Sequence, residues 1–207
     1  MKVAVLVPGN GSNLQALIDD GIPVDVVVSN VAGVKALERA AAAGIETAVY
    51  EQKAYASREE RDAAMAAFLQ GRNIGLVVLA GYMQLLSPAF VAPFSGRIMN
   101  VHPSLLPAFP GTHAPADALA HGVRWTGATV HLVTEELAAA DTGPIVLQEP
   151  VAIRWDDTAE TLHHRIQLAE HALLPKGVRM FLAGRVSLVA GTRRTAIDVS
   201  EDLSGED

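Results

Sequence analysis

The sequence predicts an α/β fold, a mostly parallel sheet with helices on both faces. Three observations lead there. Short apolar runs stand at 2–7, 24–29, 46–50 and 75–79, stretches with helical spacing separate them, and capping residues or glycines stand where helices should start or stop. Parallel neighbours need a crossover, commonly a helix, so the first half reads β-α-β-α-β-α-β.

The helices of that half are 12–20, 34–43 and 57–71. Ser57 followed by Glu60 makes a capping box for the third, and Gly44 and Gly71 are stops for the second and third. Residues 98–101 read as a fifth strand that ends at Pro103, followed by a loop rich in proline and glycine over 103–111. Such a loop invites a functional reading. A helix near 114–121, strands near 126–133 and 145–153, and a long helix over 158–183 complete the second half. Residues 186–207 form a C-terminal segment whose last part, 192–207, is polar and ends acidic, which reads as a solvated tail.

With 207 residues the chain fits one domain able to bury a core and carry a cleft. Hydrophobic residues at 50% and charged residues at 19% exclude a disordered or fibrous chain. A net charge of -7 without a basic stripe argues against a nucleic-acid partner. The start lacks the apolar stretch of a signal peptide, and no run approaches the roughly 18 apolar residues of a membrane span, so a cytoplasmic protein without a membrane partner is expected. The absence of cysteine removes disulfides, thiolate nucleophiles and cysteine metal sites.

Directly after the first strand comes Pro8-Gly9-Asn10-Gly11-Ser12-Asn13-Leu14. Glycines let the backbone turn tightly, and the next helix points free N–H groups outward, which attracts phosphate. A dinucleotide fingerprint needs a third glycine near 14 and an acid after the second strand, but Leu14 and Ser29-Asn30 stand there. No Gly-Lys-Ser/Thr follows either, so a triphosphate loop is excluded. What remains is either a single phosphate held by Gly11, Ser12 and Asn13 or a purely structural turn.

The string Asn100-Val101-His102-Pro103-Ser104-Leu105-Leu106-Pro107 lies at the carboxyl end of a strand, where open parallel sheets place their ligand crevice. Residues two apart on a strand share a face, so Asn100 and His102 point the same way. An amide donates to a developing oxyanion and an imidazole donates or moves a proton near neutral pH, a pair suited to acyl-type transfer. Asp141, in Asp141-Thr142-Gly143-Pro144, is either a turn residue or the carboxylate that orients the histidine. His163, His164 and His171 lack metal spacing and read as surface or packing residues of the long helix. His131 reads equally as a cleft residue or a satisfied strand histidine, and His113 and His121 have no assigned role.

The chain resembles the glycinamide ribonucleotide formyltransferases of purine synthesis. The resemblance is carried over about 1–185 by Gly9-Asn10-Gly11-Ser12-Asn13-Leu14, Leu79-Ala80-Gly81-Tyr82-Met83, Leu86-Ser87-Pro88, the string from Asn100 to Pro107, Asp141-Thr142-Gly143-Pro144 and Glu170-His171. It implies a Rossmann-like formyltransferase fold in a single domain over 1–185. Residues 1–101 would be the nucleotide and phosphate half, 102–185 the folate-binding and catalytic half. It implies catalytic Asn100, His102 and Asp141, phosphate held by Gly11, Ser12 and Asn13, and ribose held by Glu170. The folate site would comprise Arg58, Met83, Gln84, Leu85 and Leu86, with Asn100 and Asp141. The cosubstrate would be 10-formyltetrahydrofolate, without a metal, and family analogy allows a homodimer.

Two departures from the family pattern stand out. Nine residues separate His131 from Asp141, a longer stretch than is common, with Ala138, Ala139 and Ala140 looking inserted; and Gln84 stands where many members have arginine. The competing readings are a formyltetrahydrofolate hydrolase, in which water replaces the amine, and a catalytically silent nucleotide-phosphate sensor.

Overall fold

In the computed structural model, which describes residues 1–133, 141–189, 192 and 194–198, the apolar runs form four adjacent strands at one end of a seven-stranded sheet. Strands β1 (Lys2–Val7), β2 (Val24–Ser29), β3 (Glu46–Val49), β4 (Ile74–Leu79) and β5 (Ile98–His102) are parallel. Two antiparallel strands, β6 (Trp125–Leu132) and β7 (Ile145–Ala152), extend the sheet, giving the order β3-β2-β1-β4-β5-β6-β7.

Period-two alternation divides β1 between two cores. Val3, Val5 and Val7 pack with helices α1 (Ser12–Asp19), α2 (Lys35–Ala42) and α6 (Ala159–Leu182), while Ala4 and Leu6 face α3 (Arg58–Gly71) and α4 (Pro88–Val91). Both faces are thus covered, as a parallel sheet requires. Strand order reverses between β1 and β4, so the loops that leave their carboxyl ends diverge and open a crevice there. A further helix, α5 (Ala114–His121), follows β5.

Local differences from the sequence expectation have physical causes. Ser57 caps α3 by accepting the Glu60 N–H at 3.1 Å, but the Glu60 carboxylate accepts the Ala56 N–H at 3.0 Å, so the reciprocal half of the box falls one residue early. Helix α4 and the 3-10 turn Ala92–Phe94 were not expected, since a proline-punctuated stretch has too few residues for a periodic signal. They form because Phe90, Val91 and Phe94 bury against α3 and β4.

The segment after 185 is not simply a tail. Strands β8 (Val186–Leu188) and β9 (Thr195–Ile197) pair as an antiparallel ribbon, docked on β7 by the bridge Ile145↔Arg194 and by Thr195 Oγ1, which donates to the Ile145 carbonyl at 2.5 Å. The expectation of a solvated stretch over 192–207 is corrected at 195–197: a three-residue strand holds there because it covers a sheet edge and packs Ile197 against the core. Ala138, Ala139, Ala140 and 199–207 lie outside the described residues. Among the described residues no helix is long and apolar enough to cross a membrane.

Candidate active site

The turn after β1 leads into α1 through Gly11, whose φ of 73° is left-handed. Two constraints demand glycine: that backbone, and α2, whose Ala36 Cβ would lie 2.6 Å from any Cβ built on Gly11. The loop is clamped from behind. Ala36 N–H donates to the Gly9 carbonyl and Arg39 Nε to the Asn10 carbonyl, both at 3.0 Å. No side chain caps α1, and its first helical bond is from Gln15 N to Gly11 O, so the N–H groups of the opening turn stay available to an anion.

Asn13 turns inward from that first turn, and its Nδ2 donates to Glu170 Oε2 of α6 at 3.0 Å, both side chains buried. Burial raises the Glu170 carboxyl to about 7 against a small opposing effect of the Asn13 donor. The Asn13 Oδ1 is buried and accepts nothing from the described residues, which leaves an acceptor for a ligand donor.

Across the crevice, Asn100 and His102 project from one face of β5, and Val101 packs in the core on the other. The antiparallel register sets Asn100 opposite His131 and His102 opposite Thr129. His131 Nδ1 donates to the Leu132 carbonyl at 3.2 Å, so its Nε2 accepts from Asn100 Nδ2 at 3.1 Å. That contact fixes which end of the Asn100 amide faces which way and leaves its second hydrogen for the cleft.

His102 is gripped at both ring nitrogens. Its Nε2 donates to the Phe109 carbonyl at 2.9 Å, and its Nδ1 stands 3.3 Å from Asp141 Oδ2. The Phe109 position is held by the loop: Ser104 Oγ donates to the Ala108 carbonyl at 2.5 Å, Thr129 Oγ1 donates to the Ser104 carbonyl at 2.6 Å, and His121 stands edge-on to the Phe109 ring. A neutral imidazole has one N–H for two facing acceptors; only the doubly protonated ring donates to both. Burial pushes the His102 pKa down, and the Phe109 carbonyl and Asp141 charge only partly offset that. The resting ring therefore favours one proton and is poised to accept another when negative charge appears beside it.

Asp141 also stands at a left-handed φ of 62°. Burial opposes its ionisation, but the His131 ring, the Gly111 N–H at 2.9 Å and the His102 ring outweigh it and hold the carboxyl below its ordinary range.

Asn13 with Glu170, Asn100 with His131, and His102 with Asp141 line one cleft of about 670 Å³. Gly11, Ser12, Asn13, Arg58, Met83, Gln84, Leu85, Leu86, Asn100, His102, Asp141 and Glu170, the residues nominated from sequence, all lie on its wall. Met83 and Leu85 present exposed apolar surface there, at 63% and 55%, suited to a flat hydrophobic ligand. No group of three His, Asp or Glu among the described residues could hold a metal ion.

A sequence model of the family described as Formyl transferase matches residues 1–178. The chain belongs to the formyl transferase family. Among curated formyl transferases, the phosphoribosylglycinamide formyltransferase of Escherichia coli (strain K12) is 42% identical over 195 residues, covering 91% of this chain and 90% of that protein. The human trifunctional purine biosynthetic protein adenosine-3 is 45% identical over 193 residues, and there the match covers 90% of this chain but only 19% of that longer protein. Among solved structures, glycinamide ribonucleotide transformylase 1 from Symbiobacterium toebii superposes with a TM-score of 0.90 at 44% identity, covering 95% of this chain and 93% of that chain.

Beyond the residues nominated from sequence, this formyl transferase lines its cleft with His131, His163 and Gln167. By sequence His163 reads as a surface or packing residue, yet it stands on the cleft wall. Its spacing is the missed signal: 163, 167 and 170 fall at i, i+4 and i+7, one face of α6, so a helix that carries Glu170 into the cleft carries the other two with it. By sequence His131 reads equally as a cleft or a strand residue, and it is both.

Proposed function

We propose that the chain transfers the formyl group of 10-formyltetrahydrofolate to the amine of glycinamide ribonucleotide, a step of de novo purine (IMP) biosynthesis. One observation carries this reading: a single cleft is lined both by the uncapped start of α1 with Glu170 and by the Asn100 amide with the His102 and Asp141 pair. The names of the similar enzymes support it.

In this reading Gly11, Ser12 and Asn13 hold the phosphate, and Glu170 accepts from the ribose hydroxyls. Arg58, Met83, Gln84, Leu85 and Leu86 receive the folate together with Asn100 and Asp141. Residues 1–185 act as one domain: 1–101 supplies the phosphate anchor, 102–185 most of the catalytic chain, and each half lends residues to the other's ligand. The partners are two small molecules in the cytoplasm, with no nucleic acid.

The amine attacks the formyl carbon, its nitrogen becoming cationic and the formyl oxygen anionic. The second Nδ2 hydrogen of Asn100 donates to that oxygen. The proton lost by the nitrogen passes through water and Asp141 to His102, and the imidazolium so formed stabilises the oxyanion further. The proton held by His102 returns through Asp141 and water to the folate nitrogen, and the oxyanion collapses to the carbonyl as the old C–N bond breaks, leaving the formylated amine and neutral tetrahydrofolate. Because the amine is itself the nucleophile, no covalent enzyme intermediate forms, and the amide and imidazolium leave no step that requires a metal.

The test is incubation of the purified protein with 10-formyltetrahydrofolate, with and without glycinamide ribonucleotide. Product that depends on the amine supports transfer. Product formed without it supports hydrolysis, and binding without turnover supports a sensor.

A further inference from the structure

Arg61 is 1% exposed on α3, and no step of the proposed reaction uses it. A guanidinium taken out of water must have its charge balanced and its donors occupied. Its Nε and Nη2 donate to Asp62 Oδ1 at 3.0 and 2.6 Å, and Asp62 Oδ2 accepts the Ser87 backbone N–H at 2.7 Å. The remaining arm, Nη1, donates to Gln84 Oε1. One buried ion pair thereby ties α3 to both ends of the stretch 84–87, whose Gln84, Leu85 and Leu86 form a wall of the cleft.

The contact decides which end of the Gln84 amide does what. A guanidinium has donors and no acceptor, so only the amide oxygen can face it. The NH2 end is turned the other way, and none of the described residues accepts from it. Arg58, one helical turn before Arg61, is the only arginine or lysine among the described residues lining the cleft. The wall therefore offers one cation and one oriented neutral donor, both suited to a carboxylate.

We infer that Arg61 is a specificity-determining positioning residue: it fixes the Gln84 amide so that Gln84 and Arg58 together receive the glutamyl carboxylate of the folate. The inference rests on the formyl-transfer reading above. Arg61 is neutralised by Asp62 and has no surface in the cleft, so it acts through Gln84 without touching the ligand.

Calorimetric titration with tetrahydrofolate and with tetrahydropteroate, which lacks the glutamyl tail, tests this in the full chain. Wild type should bind tetrahydrofolate the more tightly. Q84M should weaken tetrahydrofolate binding about tenfold, the worth of one hydrogen bond to a charged group, and leave tetrahydropteroate unchanged. Q84E keeps an acceptor for Arg61 but presents a carboxylate to the tail, so it should lose more. R61M should reproduce Q84M, and the double variant should be no worse than either single one. R61K keeps a charge beside Asp62 but cannot span both partners, and it should give the same loss where R61M does not fold. Equal weakening of both ligands, or additive losses, would overturn the inference, and wild-type formyl transfer measured alongside would show the reaction still standing. Failure of the wild type to bind either folate would overturn both.

Discussion

Asn13 and Glu170 are 157 residues apart in the chain, yet the Asn13 amide donates to the Glu170 carboxylate at 3.0 Å inside the cleft wall. The carboxyl is raised from 4.5 to about 7 by burial, so the folded chain holds that proton to higher pH than the unfolded chain does. Its contribution to stability is complete below pH 4.5 and is lost as pH rises through about 7, roughly 3 kcal/mol in all. E170Q keeps the acceptor for Asn13 and cannot ionise. Urea denaturation at pH 5 and pH 8 should find the variant more stable than wild type at pH 8, with most of the difference gone at pH 5. A ligand hydroxyl favours the ionised carboxylate, so nucleotide affinity in wild type should fall as pH drops through the same range.

Asn100→Ala removes the amide aimed at the formyl oxygen. Turnover should fall by roughly 10²–10³, as for loss of an oxyanion donor, while nucleotide binding measured by calorimetry stays largely intact. Unchanged turnover would remove Asn100 from the mechanism.

His131→Phe keeps the ring in the sheet but deletes the Nε2 acceptor that orients Asn100. Turnover should drop about tenfold, the scale of one hydrogen bond, and combination with Asn100→Ala should add little further loss. Additive losses in steady-state rates would mean that His131 acts independently of Asn100.

His102 must be able to accept a proton, and burial holds its pKa below the ordinary 6.5. With both substrates saturating, so that Glu170 does not intrude through binding, the acidic limb of the kcat profile should therefore fall below pH 6.5. Asp141→Asn removes the charge that pulls this pKa upward. It should move the limb to still lower pH and reduce kcat by about 10²–10⁴. A limb that stays in place would detach His102 from Asp141.

Gly11→Ala meets both a left-handed backbone, which costs about 1–2 kcal/mol, and the Ala36 methyl. The start of α1 must shift, so nucleotide binding should be lost while folate binding persists, a separation that titration with each ligand alone would reveal.

The buried strands and the helices between them were legible because each repeats its apolar spacing several times. Asn100 and His102 were legible for a similar reason, since two-residue spacing on a strand dictates a shared face. The rest depends on partners distant in sequence. His131 could not be assigned because an antiparallel register, not its own neighbours, sets it opposite Asn100. Arg61 reads locally as a solvated charge on a helix, and only Asp62, Gln84 and the 87 backbone make its burial tolerable. The β8–β9 ribbon, three residues to a strand, is too short to repeat its apolar spacing, and its place comes from an open sheet edge.

The left-handed backbone at Asp141 sets selection on the fold against selection on the reaction. Side chains with a Cβ are rarely at ease there; aspartate, like asparagine, is among the least penalised, but only glycine, without a Cβ, carries no strain at all. Glycine would relax the turn, and it could not hold the imidazole's charge. The substitution that most readily toughens this corner of the protein is thus one that silences it, and a lineage screened only for thermal endurance would drift toward an inert enzyme.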